Sequence, residues 1–363
     1  MVKKHRSASA IIDTQALKEN FNTLKQLAAP AKVLTVLKAN AYGHGLIRIA
    51  KGLPQADAFG VARIDEALQL RDHGINNAIV LLEGFFEAEE LVDIHQHDLQ
   101  IVIHSIEQLE AIEQASLPTP IKVWLKIDTG MHRLGVAPEL FAQFYQRLKA
   151  CSNVAKGLVL MSHLACADDV SHPMNNSQMA LFGSLTEHLP DDKTLANSAA
   201  VLAFKNAHYQ WVRPGLMLYG VSPMALTSAL QPPKSITPVM TLYSSVIAIQ
   251  HIKAGERVGY GGAWTSAKDT RIGVVAIGYG DGYPRHAING TPVWVNGKVF
   301  PLVGRVSMDM ITIDLGEDDS IKVGDYAELW GKNLAIEKIA DCAQTIPYEL
   351  LCNITARVKT DLY

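Results

Sequence analysis

Leu17-Lys18-Glu19-Asn20-Phe21-Asn22-Thr23-Leu24-Lys25-Gln26-Leu27, followed closely by Val33-Leu34-Thr35-Val36-Leu37-Lys38, carries two periodicities. Leu17, Phe21, Leu24 and Leu27 recur at helical spacing, whereas 33–37 is a short β-type run ending in a lysine. The same alternation continues downstream. Further strands are predicted over 58–61, 79–82, 101–103, 123–127, 157–161 and 194–197, with a weaker one at 209–212. Among the intervening helices, Leu140, Phe141, Phe144 and Leu148 form an apolar stripe. Ser105 with Gln108 reads as a capping box, and Pro138 suits a first helical turn. Eight strands alternating with helices over roughly 220 residues predict a (β/α)₈ TIM barrel. An open doubly wound sheet is the alternative that spacing alone leaves open.

The pattern changes after Gln231-Pro232-Pro233-Lys234. β-type runs follow at 239–249, 272–277, 291–295, 299–303 and 310–313, and Asn296-Gly297 signals a two-residue hairpin. The chain thus divides into a barrel over 11–232 and a C-terminal β-rich domain over 233–363, with 1–10 expected to pack with the latter. No internal repeat is visible.

Composition excludes several classes. The 363 residues are long for one core, and 48% hydrophobic with 19% charged residues is ordinary globular usage. A net charge of −3 gives no reason to expect nucleic acid, and Lys3-Lys4-His5-Arg6 reads as a solvated tail. No segment reaches the ~18 apolar residues that span a bilayer, and no secretory signal is seen. Cys151, Cys166, Cys342 and Cys352 lack C-x-x-C spacing, so neither zinc nor disulfides are expected, and a cytoplasmic location fits. His95 and His97 sit two apart in a helix and cannot share a face as metal ligands. Gly278-Tyr279-Gly280-Asp281-Gly282 lacks the spacing of a nucleotide loop and reads as a tight turn.

Chemistry in such a barrel sits where strands end at their C-termini. Lys38 ends strand 1; Lys126, Asp128 and Arg133 lie at or beyond the end of strand 5. His163 ends strand 6, Asn197 and Ser198 end strand 7, and Arg213 and Gly215 end strand 8. Singly, each has a structural reading: a solvated lysine, a bonded histidine, a helix-capping serine. Their joint placement on one face points to a site.

Leu37-Lys38-Ala39-Asn40-Ala41-Tyr42-Gly43-His44-Gly45 resembles the cofactor-lysine signature of the alanine racemases. The resemblance continues through Leu125–Gly135, Ser162-His163, Asn197-Ser198, Val212–Gly215, Val258–Gly261 and Gly304–Asp309, in family order. It implies pyridoxal 5′-phosphate (PLP) as cofactor, a barrel with a C-terminal β domain, and a head-to-tail homodimer with shared sites. Lys38 would anchor PLP covalently. Tyr42, Ser198, Gly215 and the Leu216 backbone would hold the phosphate, with Asn197 nearby, and Arg213 would face the pyridine nitrogen. Tyr260, from the partner subunit, would be the second catalytic base beside a chain formed by His163 and Arg213. Without the dimer it reads as a buried aromatic in a glycine-rich turn.

The resemblance also implies that Arg133, helped by the Met308 backbone, binds the carboxylate of alanine. Lys126 then poses a puzzle. Two cations ~4 Å apart at an effective dielectric near 20 repel by about 4 kcal/mol. Family members commonly carbamylate this lysine, which would turn it into an anion that orients Arg133. The chain departs from many relatives at Ala356, where a tyrosine touches the phosphate. Rival readings are a broad-specificity racemase or a decarboxylase of this architecture, and a non-catalytic PLP carrier. The decarboxylase lacks the setting of Tyr260, and the carrier lacks the β domain.

Overall fold

The computed structural model describes residues 7–362, so the basic run at 3–6 lies outside the described residues. Two compact units are present: one spans Lys18–Leu218 and Ser222–Ile236, the other the chain up to Leu17, Tyr219–Val221 and the chain from Thr237.

The first unit is a closed parallel barrel, which removes the open-sheet alternative. After β1 (Ser9–Ile12) of the other unit, its strands run β2 (Lys32–Val36), β3 (Ala58–Val61), β4 (Ile79–Leu81), β5 (Leu99–Ile103), β6 (Val123–Lys126), β7 (Val159–Met161), β8 (Asp192–Thr194) and β9 (Trp211–Val212). The barrel closes where β2 pairs with β9. Its axis is filled by a cluster of buried side chains: Leu34, Ala58, Val80, Val102, Trp124, Val159 and Met161. Alternate residues of a strand share a face, so the next inward positions, one step toward the C-terminal ends, open onto the barrel mouth.

The stripe on the helix Thr14–Ala28 packs as spaced, with Leu17, Phe21 and Leu24 buried. Leu27 is half-buried and Ala28 takes the core position instead. Ser105 accepts from Gln108 N, but the Gln108 side chain reaches His104 N and not its own cap, so the box is only half formed. Leu140 is exposed, in a 3₁₀ turn opened by Pro138, and the stripe on Phe141–Ala150 begins one residue later. The seventh strand is displaced from the predicted 194–197 to Asp192–Thr194. Its Lys193 is tolerated indoors because Nζ donates to Leu189 O at 2.8 Å and Asp191 O at 3.0 Å.

The second unit is built on an eight-stranded sheet. β10 (Met240–Ile252) is its long central strand, with β11 (Arg257–Val258) and β12 (Trp264–Thr265) forming a small separate ladder. β13 (Thr270–Val275), β14 (Pro292–Val295), β15 (Lys298–Pro301), β16 (Ile311–Gly316), β17 (Tyr326–Trp330) and β18 (Lys359–Leu362) complete it. The sheet order is β15-β14-β17-β10-β1-β18, with β13 joining β10 to β16. Asn296 (φ 46°) and Gly297 (φ 86°) turn the β14–β15 hairpin with both residues left-handed, as a type I′ turn demands. No helix among the described residues is long and apolar enough to cross a membrane.

Candidate active site

Lys38 opens a turn of unusual hand. Ala39, Asn40, Ala41 and Tyr42 have φ of 55°, 54°, 53° and 51°. Each such L-residue costs roughly 1–2 kcal/mol, so the turn persists only where its surroundings over-determine it. Asn40 Oδ1 accepts from Leu46 N at 2.8 Å, and Asn40 N donates to Glu66 Oε1 at 3.4 Å. Glu66 Oε2 accepts from Ala62 N at 2.9 Å, and His44 Nδ1 donates to Tyr42 O at 2.8 Å. These bonds hold Lys38 and Tyr42 on one short turn.

Tyr42 lies against Gly215. A Cβ on Gly215 would stand 2.4 Å from the Tyr42 hydroxyl, so any side chain there would displace Tyr42. Gly215 N donates to Ser198 Oγ at 2.9 Å and Met217 N to the same oxygen at 3.4 Å. Ser198 begins the helix Ser198–Ala203, capped by Asn197, whose Oδ1 accepts from Ala200 N at 3.0 Å. Two hydroxyls and a bare stretch of backbone, continuing into buried Leu216, form a cradle suited to a phosphate.

Arg213 is buried behind it. Its Nη2 donates to Ser162 O at 2.6 Å, Leu195 O at 3.3 Å and His163 Nδ1 at 3.2 Å, and Nη1 donates to the Thr194 hydroxyl. Burial lowers its pKa to about 9, which leaves it charged at neutral pH. A guanidinium only donates, so His163 Nδ1 accepts and Nε2 carries the ring proton. Burial, followed by the charges of Arg213, Lys126, Arg133 and Lys38, holds the His163 pKa well below 6.5. The imidazole is neutral.

Arg133 is presented by an excursion over 127–136 that Val136 N→Lys126 O (2.8 Å) and Asp128 N→Val136 O (2.9 Å) close. Asp128 Oδ1 ties the tip, accepting from Gly130 N at 2.9 Å and His132 N at 3.0 Å. Arg133 is exposed and forms no hydrogen bond or ion pair among the described residues. Lys126 is buried, and its pKa falls to about 8 through burial and then through Arg213, Arg133 and Lys38, with Asp128 opposing. Arg213, Arg133 and Lys38 thus act on Lys126 in the same electrostatic direction.

In the second unit, Tyr260 opens the 3₁₀ turn Tyr260–Gly262 and is 71% exposed, not the buried aromatic that its turn alone suggested. Gly259, Gly261 and Gly262, at φ of 73°, 70° and 55°, lift it off the surface between β11 and β12. Met308 is half-exposed, and its carbonyl accepts from Gly280 N at 2.9 Å. Ala356 follows Thr355, whose hydroxyl donates to Gly280 O at 2.9 Å. Tyr279–Asp281 forms the expected tight turn. Thr194, Glu66 and Asn40 were not singled out from the sequence as supports. None carried a positional signal: Thr194 ends its strand only because the strand lies at Asp192–Thr194, whereas the predicted 194–197 places it at the beginning. Among the described residues no cluster of His, Cys, Asp and Glu could hold a metal, and the four cysteines are unpaired.

Two family models match, "Alanine racemase, N-terminal domain" over residues 12–223 and "Alanine racemase, C-terminal domain" over 239–362. The alanine racemase of Vibrio atlanticus is 54% identical over 98% of this chain and 99% of its own, and that of Vibrio cholerae is 52% identical over 99% of each. The biosynthetic alanine racemase of Pseudomonas aeruginosa superposes with a TM-score of 0.95 at 42% identity, covering 99% of this chain and 100% of its own. The Bartonella henselae enzyme, solved with covalently bound pyridoxal phosphate, has a TM-score of 0.88 at 32% identity over 98% and 99%.

Proposed function

Because the chain belongs to the alanine racemase family, a family of PLP-dependent isomerases, we propose that it interconverts L- and D-alanine with two bases, Lys38 and Tyr260. The observation that carries the site assignment is the convergence of Lys38's turn, the Tyr42–Ser198–Gly215 cradle and buried Arg213 at one barrel mouth. A dianionic phosphate fits the cradle and offsets the surplus of cations that depresses Lys126. Lys38 would anchor PLP, Tyr42, Ser198, Gly215 and the Leu216 backbone would hold its phosphate, and Asn197, His163 and Arg213 would complete the binding set. When bound, PLP supplies an electron sink that makes the substrate's α-hydrogen acidic. Arg213 can only donate to the ring nitrogen, which moderates that sink and disfavours side reactions.

Racemisation removes a proton from one face of Cα and returns one on the other. Lys38 serves one face. Tyr260, exposed on its turn, is suited to enter the barrel mouth of a second copy, so the working unit is a homodimer. There the neutral His163, with Nδ1 committed to Arg213, offers Nε2–H to the tyrosine oxygen whenever that oxygen has given up its proton. Arg133, unengaged by any side chain, takes the substrate carboxylate, with the Met308 backbone assisting. A cytoplasmic enzyme is proposed, in keeping with four cysteines that lack paired spacing.

Carbamylation of Lys126 resolves the crowding. With a pKa of about 8, roughly one amine in five is neutral and nucleophilic at pH 7.4, against about one in a thousand for an ordinary lysine. Lys126→Ala should lower kcat/KM by about 10- to 100-fold, and added acetate or another small carboxylate should restore part of it. Crystallographic density for a bare ammonium turned from Arg133 would count against the modification. Gly215→Ala should push Tyr42 off the phosphate and weaken PLP by about 10-fold or more, the weight of one charge-assisted hydrogen bond. Titrating apoenzyme with PLP by absorbance checks this, and unchanged affinity would remove Gly215 from the cradle.

Turnover decides between this reading and its rivals. L-alanine should yield D-alanine without CO₂, and a panel of other L-amino acids should react much more slowly. Release of CO₂ would indicate the decarboxylase. Comparable rates across the panel would indicate the broad-specificity racemase, and no turnover a PLP carrier.

A further inference from the structure

His104, one residue past β5, has no role in the chemistry above. β5 and β6 pair in parallel with Val102 opposite Trp124 and Ile103 opposite Leu125, so the next pair along the register is His104 and Lys126. Val102 and Trp124 both point into the barrel core, and residues two apart share a face. His104 and Lys126 therefore project side by side into the mouth, on strands about 4.8 Å apart.

The ring is clamped. His104 Nε2 lies 3.0 Å from Glu83 O, and a carbonyl only accepts, so Nε2 carries the proton and Nδ1 is left as the acceptor. Gln108 fixes both ends of this contact, accepting from His104 N at 3.0 Å and donating to Glu83 O at 3.2 Å and Phe85 O at 3.0 Å. The turn that presents Glu83 O admits no side chain at Gly84 (φ 74°), where a Cβ would meet Val102 O at 2.3 Å and Gln108 Nε2 at 2.4 Å. A held imidazole whose Nδ1 keeps its lone pair, beside its own backbone carbonyl, sits next to a buried amine.

We propose that His104 is a positioning residue for Lys126, taking up the proton released on carbamylation and pairing as imidazolium with the carbamate. The inference rests on the carbamylation of Lys126 proposed above. The neutral Lys126 amine adds to the carbon of CO₂, forming the N–C bond while one C=O electron pair moves onto oxygen. The proton leaving Nζ passes to His104 Nδ1, and nothing is oxidised or reduced. Before the step, burial and the Lys126 ammonium hold His104 neutral, opposed by the Glu83 and His104 carbonyls and the Glu83 charge, with exposed Glu107 also facing the ring. After it, the nearest charge has changed sign, and protonated His104 is stabilised. Around Lys126, Arg213, Arg133 and Lys38 also favour the anion, and Asp128 opposes it. His104 differs from these cations in being able to accept the proton.

The test is ¹³C NMR of holoenzyme equilibrated with ¹³C-bicarbonate, comparing wild type with His104→Gln, which keeps a donor for Glu83 O. The bicarbonate needed for half-occupancy of the carbamate should rise about tenfold in the variant, as expected for one charge-assisted hydrogen bond. In parallel, ¹⁵N spectra of wild type should show one histidine becoming imidazolium as bicarbonate is added, and Lys126→Ala should not. This second readout stands on its own should His104→Gln fold poorly. Equal occupancy in both proteins, or no imidazolium in carbamylated wild type, overturns the role of His104 alone. No carbamate in wild type at any bicarbonate concentration overturns the reading of Lys126, and the inference with it.

Discussion

Tyr260→Phe is expected to lose racemisation by about 10²–10⁴-fold, the usual weight of a positioned acid–base group. The phenyl ring keeps the packing of the turn, so folding and PLP binding should be unchanged. The loss should also be one-sided. In the proposed assignment, taken from the family resemblance, Tyr260 would remove the proton of L-alanine and Lys38 that of D-alanine. The variant should therefore still exchange the α-hydrogen of D-alanine with solvent deuterium through Lys38, while exchange on L-alanine becomes far slower. Proton NMR in D₂O reads both. Equal exchange of the two enantiomers, or racemisation near the wild-type rate, would show that Tyr260 is not the second base.

Lys38→Ala should be the more damaging change, because it removes the covalent anchor and one base together. Activity should fall by about 10⁴-fold or more. PLP should become removable by dialysis, although the Tyr42–Ser198–Gly215 cradle still offers the phosphate its hydroxyls and backbone. In wild type, borohydride reduction followed by peptide mapping should place a pyridoxyl group on Lys38. A label on any other lysine would move the cofactor elsewhere.

The barrel was legible because its inward positions are apolar and its strands short, so each run stood out between helical stripes. Where a strand holds a polar residue whose needs are met internally, the signal vanished. β17 was missed because Glu328 interrupts it, yet its carboxylate is buried, accepting from Asn333 N at 2.7 Å, Leu334 N at 3.1 Å and Asn333 Nδ2 at 2.8 Å. β1 and β18 were missed for another reason. They are four-residue strands paired with each other across almost the whole chain, and no local pattern reports such pairing. The site divides in the same way. Lys38, Arg133, Ser198 and Arg213 could be nominated because a charged or hydroxyl side chain at a strand end has chemical meaning by position. The second tier could not. Glu66 lies on an amphipathic helix and reads as solvated, yet it is buried and bonds Asn40 N and Ala62 N beneath the Lys38 turn. Nor does the sequence show that Ala39–Tyr42 run left-handed, since none of the four is glycine.

Mixing two inactive variants tests most directly whether each site joins Lys38 of one chain to Tyr260 of another. Lys38→Ala and Tyr260→Phe should each be inactive as homodimers. In a hybrid, one site receives intact Lys38 from the Tyr260→Phe chain and intact Tyr260 from the Lys38→Ala chain, and the other site receives neither. Co-refolded in equal amounts, half the dimers should be hybrids with one working site of two, recovering about one quarter of wild-type turnover. Recovery of no activity, from a preparation shown to contain hybrids, would contradict the shared site and place both bases on the same chain.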